Sequence, residues 1–162
     1  MSDRRTIVAV SAELLPQATL VIERVLRDTP YLDGALDALR SAVASPGADA
    51  RATGTMLEGR LESVIVFGFF GGADGAGRVQ LTVTDADARR MRLGWLLVED
   101  AVSYLGIKGA RFVLAELPDD PRALPGARDF LESMSFREES RVEDFYRDGV
   151  AQLFMRREIS GR

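Results

Sequence analysis

The chain has 162 residues, 46% hydrophobic and 28% charged, with net charge -4 and a pI near 5.0. That is the size and make-up of one soluble globular domain spanning residues 1–162, and the acidic balance argues against nucleic-acid binding. With no cysteine and no histidine, thiolate nucleophiles, zinc–thiolate sites and the commonest general base and metal ligand are all excluded, so no metal site is expected.

Arg5 to Val10 is β-rich and reads as a first strand. Leu14, Leu15, Ala18, Val21, Ile22, Val25 and Leu26 recur at helical spacing, and Pro16 favours a helix start near residue 16. Asp28-Thr29-Pro30 stops that helix, because the residue before proline is pushed out of the α region. A second helix is predicted from Leu32 to Val43, ended by Ser45-Pro46-Gly47. Ala50 to Leu57 reads as a weak strand and Glu58-Gly59 as a turn. Arg60 to Phe70 reads as a strong strand, whose near-continuous apolar run predicts burial on both faces.

Gly71 to Gly77 reads as a flexible hairpin loop. Val79 to Thr84 is the next strand, followed by Arg89-Arg90-Met91-Arg92 and a helix from Arg92 to Leu105, with Gly106 in the place of a C-cap glycine. Arg111 to Leu117 is a further strand, and a short loop before it predicts a right-handed crossover that makes it a parallel neighbour of residues 79–84. Ala127, Phe130, Leu131 and Met134 mark a short amphipathic helix. Phe136 to Val142 and Val150 to Glu158 are the last two strands, with Asp144 to Gly149 as the loop between them. No apolar run approaches the roughly 18 residues of a membrane span, and the start lacks a signal-peptide apolar segment, so a cytoplasmic protein without membrane contact is expected.

The basic stretch sits where a strand hands over to a helix. A helix N-terminus carries unpaired N–H groups and a partial positive charge. Arg89, Arg90 and Arg92 beside it make either a seat for an anion such as a diphosphate or a solvated basic turn.

The order of elements, strand, two helices, three strands, helix, strand, helix, two strands, resembles the GCN5-related N-acetyltransferase (GNAT) family over roughly residues 5 to 159. Arg89-x-x-Arg92-x-Gly94 stands where that family has its Gln/Arg-x-x-Gly-x-Gly/Ala signature, followed by Trp95-Leu96-Leu97-Val98-Glu99. Glu116-Leu117 matches the family's next strand end, and Ala127 to Phe136 echoes its Ala-x-x-Phe-Tyr-x-x-x-Gly-Phe pattern. Asp144-Phe145-Tyr146-Arg147-Asp148-Gly149 and Phe154-Met155-Arg156-Arg157 are similar to the ending of one branch. Four positions depart from the pattern: Arg92 replaces a glycine, Leu131 stands where a tyrosine often protonates the leaving thiolate, Leu124 stands where an asparagine precedes the Ala-x-x-Phe run, and Ser135 replaces a glycine. The segment from Val83 to Arg89 is also about one residue longer than usual.

The resemblance implies an α/β (α+β) fold with a mixed, splayed central sheet of six or seven strands and helices on both faces. It also implies an acetyl-CoA-dependent N-acetyltransferase acting on an amine of a small molecule or peptide, by direct transfer in a ternary complex. Backbone groups of Leu81, Thr82, Val83 and Thr84 would then meet the pantetheine arm and polarise the thioester. The diphosphate would sit at Arg89, Arg90, Met91, Arg92, Leu93, Gly94 and Trp95. Glu116 is the candidate proton acceptor, its alternative a solvated strand-end carboxylate. Tyr146 is the candidate acid in place of the missing tyrosine, its alternative a rim residue. Trp95 reads as a packing residue and Arg156-Arg157 as solvated edge charge. Family habit and the apolar run Leu153-Phe154-Met155, read as an edge strand, suggest a homodimer. The competing readings are a catalytically degenerate protein that binds an acyl-CoA or a protein partner without turnover, and a purely structural partner in a dimer.

Overall fold

In the computed structural model, which describes residues 4–160 apart from the Arg90 side chain, the strongest apolar run in the sequence becomes the middle of the sheet. Strand β3 (Arg60–Phe69) is buried at eight successive positions. It is flanked by β2 (Arg51–Leu57) and β4 (Ala76–Thr84), and the full order is β1-β2-β3-β4-β5-β7-β6. β1 is Arg5–Ala9, β5 Phe112–Pro118, β6 Arg137–Arg147 and β7 Val150–Glu158. Every neighbouring pair is antiparallel except β4 and β5. The expected mixed sheet is thus seven-stranded, and its one parallel pair is the pair the sequence predicted.

Helices cover both faces. α1 (Leu15–Leu26) and α2 (Leu32–Ala44) bury Ala18, Val21, Ile22, Leu36 and Leu39 against Leu61, Val64, Val66 and Val83. α3 (Leu93–Ile107) and α4 (Ala127–Ser133) bury Leu97, Ala101, Leu105 and Leu131 against Ile65, Phe67, Val79, Val113, Ala115 and Met155. The alternation of β3 thereby feeds two cores, which is why its sequence shows no polar face. Among the described residues no helix is long and apolar enough to cross a membrane.

Two irregularities shape the site. In β4, Leu81 pairs with Val66 and Val79 pairs with Phe67, so Gln80 is an extra residue, a β-bulge. The bulge lets Val79 face α3 while Val83 faces α1. β4 and β5 pair only over Ala76–Val79 and Phe112–Ala115. From the bulge onward the strands part, which is the predicted splay, opening where the pleat is broken.

In β6, Val142 pairs with Gln152 and Arg147 with Val150, so residues 143–146 oppose Ala151 alone. The segment expected to be a loop from Asp144 is therefore a long bulge inside a strand, and the turn shrinks to Asp148–Gly149. Asp144 adopts positive φ (53°), and its Oδ1 accepts from the Gly149 N–H at 2.7 Å. This local bond gave the segment its loop-like sequence.

Other boundaries move for identifiable reasons. β4 begins at Ala76, three residues earlier than expected, and takes Gly77 into the parallel pairing. Ala86–Met91 forms a 3₁₀ helix instead of a plain turn, and α3 starts at Leu93, with Arg92 as its left-handed N-cap residue (φ 59°, ψ 27°). Gly106 lies inside α3, where a Cβ would come within 3.3 Å of Ile159, and the positive-φ glycine beyond the helix is Gly109. β7 lies between β5 and β6, so Leu153-Phe154-Met155 is interior and is no dimer edge. The edges are β1 and β6.

Candidate active site

The basic turn is built by a local capping arrangement. Asp85 is buried, and its carboxylate accepts from the Asp87 N–H (3.2 Å) and from Arg24 Nη1 (3.3 Å), tying the 3₁₀ turn to α1. The turn carries Arg89 back over the end of β4, where its Nε donates to the Thr84 carbonyl at 3.3 Å. α3 then begins. Its first turn leaves the N–H groups of Leu93, Gly94 and Trp95 ahead of the first intrahelical acceptor, while Leu96 N–H already bonds the Arg92 carbonyl at 3.1 Å. These donors lie beside the open end of the β4–β5 splay, because Gly94 packs on Thr84: a Cβ on Gly94 would sit 2.8 Å from Thr84 Oγ1 and 3.6 Å from the Phe130 ring. Gly94 is thus required for close helix–strand approach.

Arg92, the departure from the family glycine, is exposed, and its guanidinium lies 5.7 Å from the centre of the Trp95 ring. Trp95 is 40% exposed, with the Arg92 guanidinium over its ring. With the long side chain turned onto Trp95, the backbone donors keep their access. The residues therefore fit a diphosphate through backbone N–H groups and Arg89. Leu93 and Val83 are buried, Val83 in the α1–α2 core, and can offer only backbone. Leu81, Thr82, Thr84 and Met91 are half-buried around the splay. The Arg90 side chain lies outside the described residues.

Arg92 occupies a backbone region that favours glycine, so Arg92→Gly should stabilise the protein by about 1 kcal/mol. Denaturant unfolding measures this, and a loss of stability would show that the Arg92–Trp95 contact outweighs the backbone strain.

On the opposite face of the sheet the structure assembles a second group of side chains. Glu116 of β5 accepts from Arg78 of β4 through both oxygens, Nε at 2.9 Å and Nη2 at 3.0 Å. It is therefore one half of a partly buried bidentate pair rather than a solvated strand end. Arg78 also lies 5.0 Å from the Phe70 ring centre. Arg78 and Gln80, the bulge residue, floor a cleft of about 410 Å³ whose α2 wall includes Gly34, Asp37, Ala38 and Ser41.

Tyr146 projects from the β6 bulge, and its hydroxyl donates to Oε1 of buried Gln152. Burial pushes the Tyr146 phenol up to about 12, with smaller contributions from the negative charge of Glu116 and from Tyr31. Glu116 lies on the same face of the sheet as Gln152, the partner of Tyr146, so the carboxylate and the tyrosine named from the sequence stand on one side of the sheet. Beside them, Tyr31 stands edge-on to Tyr146 (centroids 5.2 Å, 82°), and Phe145 does the same from the other side (4.9 Å, 75°).

Arg78, Gln152, Tyr31, Asp120 and Arg147 are the members sequence reasoning missed. Arg78 and Glu116 are 38 residues apart and Tyr31 and Asp120 are 89 apart, so no local spacing signals those pairs, while Gln152, six residues from Tyr146, is found only through the pairing of β6 with β7. Arg156 and Arg157 are not solvated edge charge: Arg157 binds both oxygens of Glu99 on α3 (2.7 and 3.2 Å), and Arg156 lies 4.0 Å from the Phe112 ring centre.

No family model matches the sequence, and no curated protein matches it. Solved structures do match the fold. A Desulfovibrio desulfuricans protein assigned to the GNAT acetyltransferases is similar at a TM-score of 0.84, with 18% identity over 96% of this chain and 99% of that one. The ribosomal-protein-S18-alanine N-acetyltransferase of Escherichia coli gives 0.76 at 17% identity, over 98% of this chain and 96% of its own. An aminoglycoside 6′-N-acetyltransferase solved with coenzyme A gives 0.76 at 11% identity, over 97% and 98%. With its seven-stranded splayed sheet, its β4 bulge and its helices on both faces, the chain has the fold of the GNAT acetyltransferases.

Proposed function

We propose that this protein is an acetyl-CoA-dependent N-acetyltransferase that acetylates an amine of a small molecule or peptide in a ternary complex. The observation that carries the reading is the parting of β4 from β5 at the Gln80 bulge, directly before the donor-rich start of α3. It leaves the backbone edge of residues 80–84 without a strand partner, and those groups need polar partners that a pantetheine arm supplies. Bound acetyl-CoA supplies the acyl group. The chain supplies a seat for its diphosphate at Arg89 and the first-turn N–H groups, backbone donors toward the thioester carbonyl, and a cleft for the amine on the α2 side.

In the transfer, the neutral amine nitrogen bonds to the carbonyl carbon, the C–S bond breaks, and the amine's proton leaves. Glu116 accepts that proton directly or through water, since each carboxylate oxygen keeps a lone pair beyond its bond to Arg78. Tyr146 stays protonated at neutral pH and serves as the donor toward the thiolate side. Holding amine and thioester together provides a large share of the rate enhancement without further chemistry.

The second reading, an acyl-CoA binder without turnover, rests on Leu131, which is buried in the core where the family's acidic tyrosine would stand. Calorimetry with acetyl-CoA and CoA, then turnover with a polyamine, an amino sugar and a peptide bearing a free α-amine, separates the two. Arg89→Glu should weaken CoA binding about tenfold or more, since one charge-assisted contact is worth about 1.5–3 kcal/mol. An absence of binding at millimolar ligand by the unsubstituted protein would sink both readings.

A further inference from the structure

We infer that Asp120 is a positioning residue for the acceptor side of the site, acting by clamping Tyr31 and Arg147 and, through them, the bulge that presents Tyr146. The inference rests on the acetyltransferase reading only for its kinetic consequence. The clamp itself is a matter of geometry.

Asp120 sits in the connection between β5 and α4 and is 6% exposed. Its Oδ2 accepts from the Tyr31 hydroxyl and from Arg147 Nη2, each at 2.7 Å, and its Oδ1 accepts from the Ala123 N–H at 3.3 Å. Arg147 Nη1 in turn donates to the Tyr31 oxygen at 3.2 Å, which closes a three-residue ring of bonds. The hydrogen bonds from Tyr31 and Arg147 hold the Asp120 carboxyl below the usual range, so the charge that binds them persists at neutral pH.

The three members come from distant parts of the chain: the start of α2, the β5–α4 connection and the end of the β6 bulge. Four residues of β6, 143–146, oppose a single residue of β7, so the bulge lacks ladder bonds to set its shape. Its C-terminal end is fixed by the Arg147–Asp120 pair. Of its two aromatic residues, Tyr146 is held by its bond to Gln152 and by the edge-on ring of Tyr31, which Asp120 holds by the hydroxyl. A buried carboxylate with two charge-assisted or phenolic partners is an expensive arrangement for stability alone. Here it ties α2, one side of the acceptor cleft, to the strand that carries Tyr146. The Asp120 carboxylate bonds Tyr31, Arg147 and the Ala123 N–H, so its action on the reaction goes through Tyr31 and Arg147.

The test compares unsubstituted protein with Asp120→Asn, which keeps size and loses charge, and with Tyr31→Phe, which keeps the ring and loses the hydroxyl. The chain has three tyrosines, Tyr31, Tyr104 and Tyr146, so ring-carbon-labelled tyrosine gives three assignable NMR signals. Asp120→Asn should move the signals of both Tyr31 and Tyr146 and leave that of Tyr104 in place. With the amine best turned over among the polyamine, amino sugar and peptide, kcat/KM for the amine should fall at least tenfold while Kd for acetyl-CoA changes less than twofold. Tyr31→Phe should move the Tyr146 signal and give the same kinetic split, smaller in size. An unmoved Tyr146 signal overturns the clamp. So does a parallel loss of acetyl-CoA binding and amine kcat/KM, which marks a general structural role. Absence of turnover by the unsubstituted protein counts against the acetyltransferase reading, and the NMR comparison still decides the clamp.

Discussion

Leu97→Ala should destabilise the protein by about 2–5 kcal/mol, the cost of removing a large aliphatic side chain from a packed core. Leu97 is fully buried on α3, in the cluster that joins Ile65 and Phe67 of β3, Val79 of β4, Val113 and Ala115 of β5, and Leu131 of α4. Those residues come from four elements besides α3, so the hole cannot be closed by moving one of them. A domain of this size has about 5–15 kcal/mol of stability in total, so the loss is a large part of it. Urea unfolding followed by far-ultraviolet circular dichroism measures it, with an unchanged m-value as the control. A loss below about 1 kcal/mol would mean that the face of α3 is misassigned. Leu97 also lies one turn from the first-turn N–H groups. The variant should therefore weaken CoA binding in proportion to how far the start of α3 shifts, which calorimetry on the folded fraction reads.

The face of α3 was legible because its burial is local in origin. Leu93, Leu97, Ala101 and Leu105 repeat at helical spacing, and all four are buried. The same holds for β3, whose unbroken apolar run announces a strand with a helix layer on each side. The Arg89-to-Trp95 stretch was legible as a helix start, and the structure brings Arg89 to the end of β4.

What escaped the sequence depends on partners far along the chain. The Gln80 bulge is visible only when β4 is laid against β3, because Gln80 fits an alternating strand as a solvent-facing residue. The segment between Val83 and Arg89, longer than the family pattern, enters a 3₁₀ turn capped by Asp85. β6 was cut short because Asp144 and Gly149 form a turn-like bond within what pairs as a strand. Glu116 and Tyr146 were each singled out alone. That Arg78 grips one and Gln152 the other follows from strand register, in which Glu116 lies opposite Phe154 and Pro118 opposite Gln152 on the same face.

Glu116→Gln should lower kcat for the amine by about 100-fold or more, the contribution typical of a positioned proton acceptor. The substitution keeps shape and removes the charge. Arg78 then faces an amide in place of a carboxylate: it keeps one bond, to the amide oxygen, and loses the other, because the amide NH2 cannot accept. Glu116 belongs to the sheet face opposite α3, so acetyl-CoA affinity should stay within about threefold, a change of under 1 kcal/mol. The split between a large kcat effect and a small binding effect distinguishes a proton-transfer role from a structural one. A variant that retains more than a third of the original kcat would leave Glu116 as a partner of Arg78 only. Tyr146 gives the second arm. Its phenol is raised to about 12, first by burial and then by Glu116, so the folded protein holds that proton more tightly than the unfolded chain does. The resulting stabilisation is complete below about pH 10 and is lost as pH rises toward 12. Over the pH range of an ordinary assay Tyr146 therefore remains a competent acid, and an alkaline fall in rate below about pH 10 must come from another group. Glu116→Gln removes a negative neighbour and lets the phenol titrate earlier, while burial still holds it above its ordinary value. Phenolate absorbance in a Tyr31→Phe, Tyr104→Phe background, where only Tyr146 contributes, reads that shift. A later titration in the Glu116→Gln protein would contradict the arrangement of the two groups at one site.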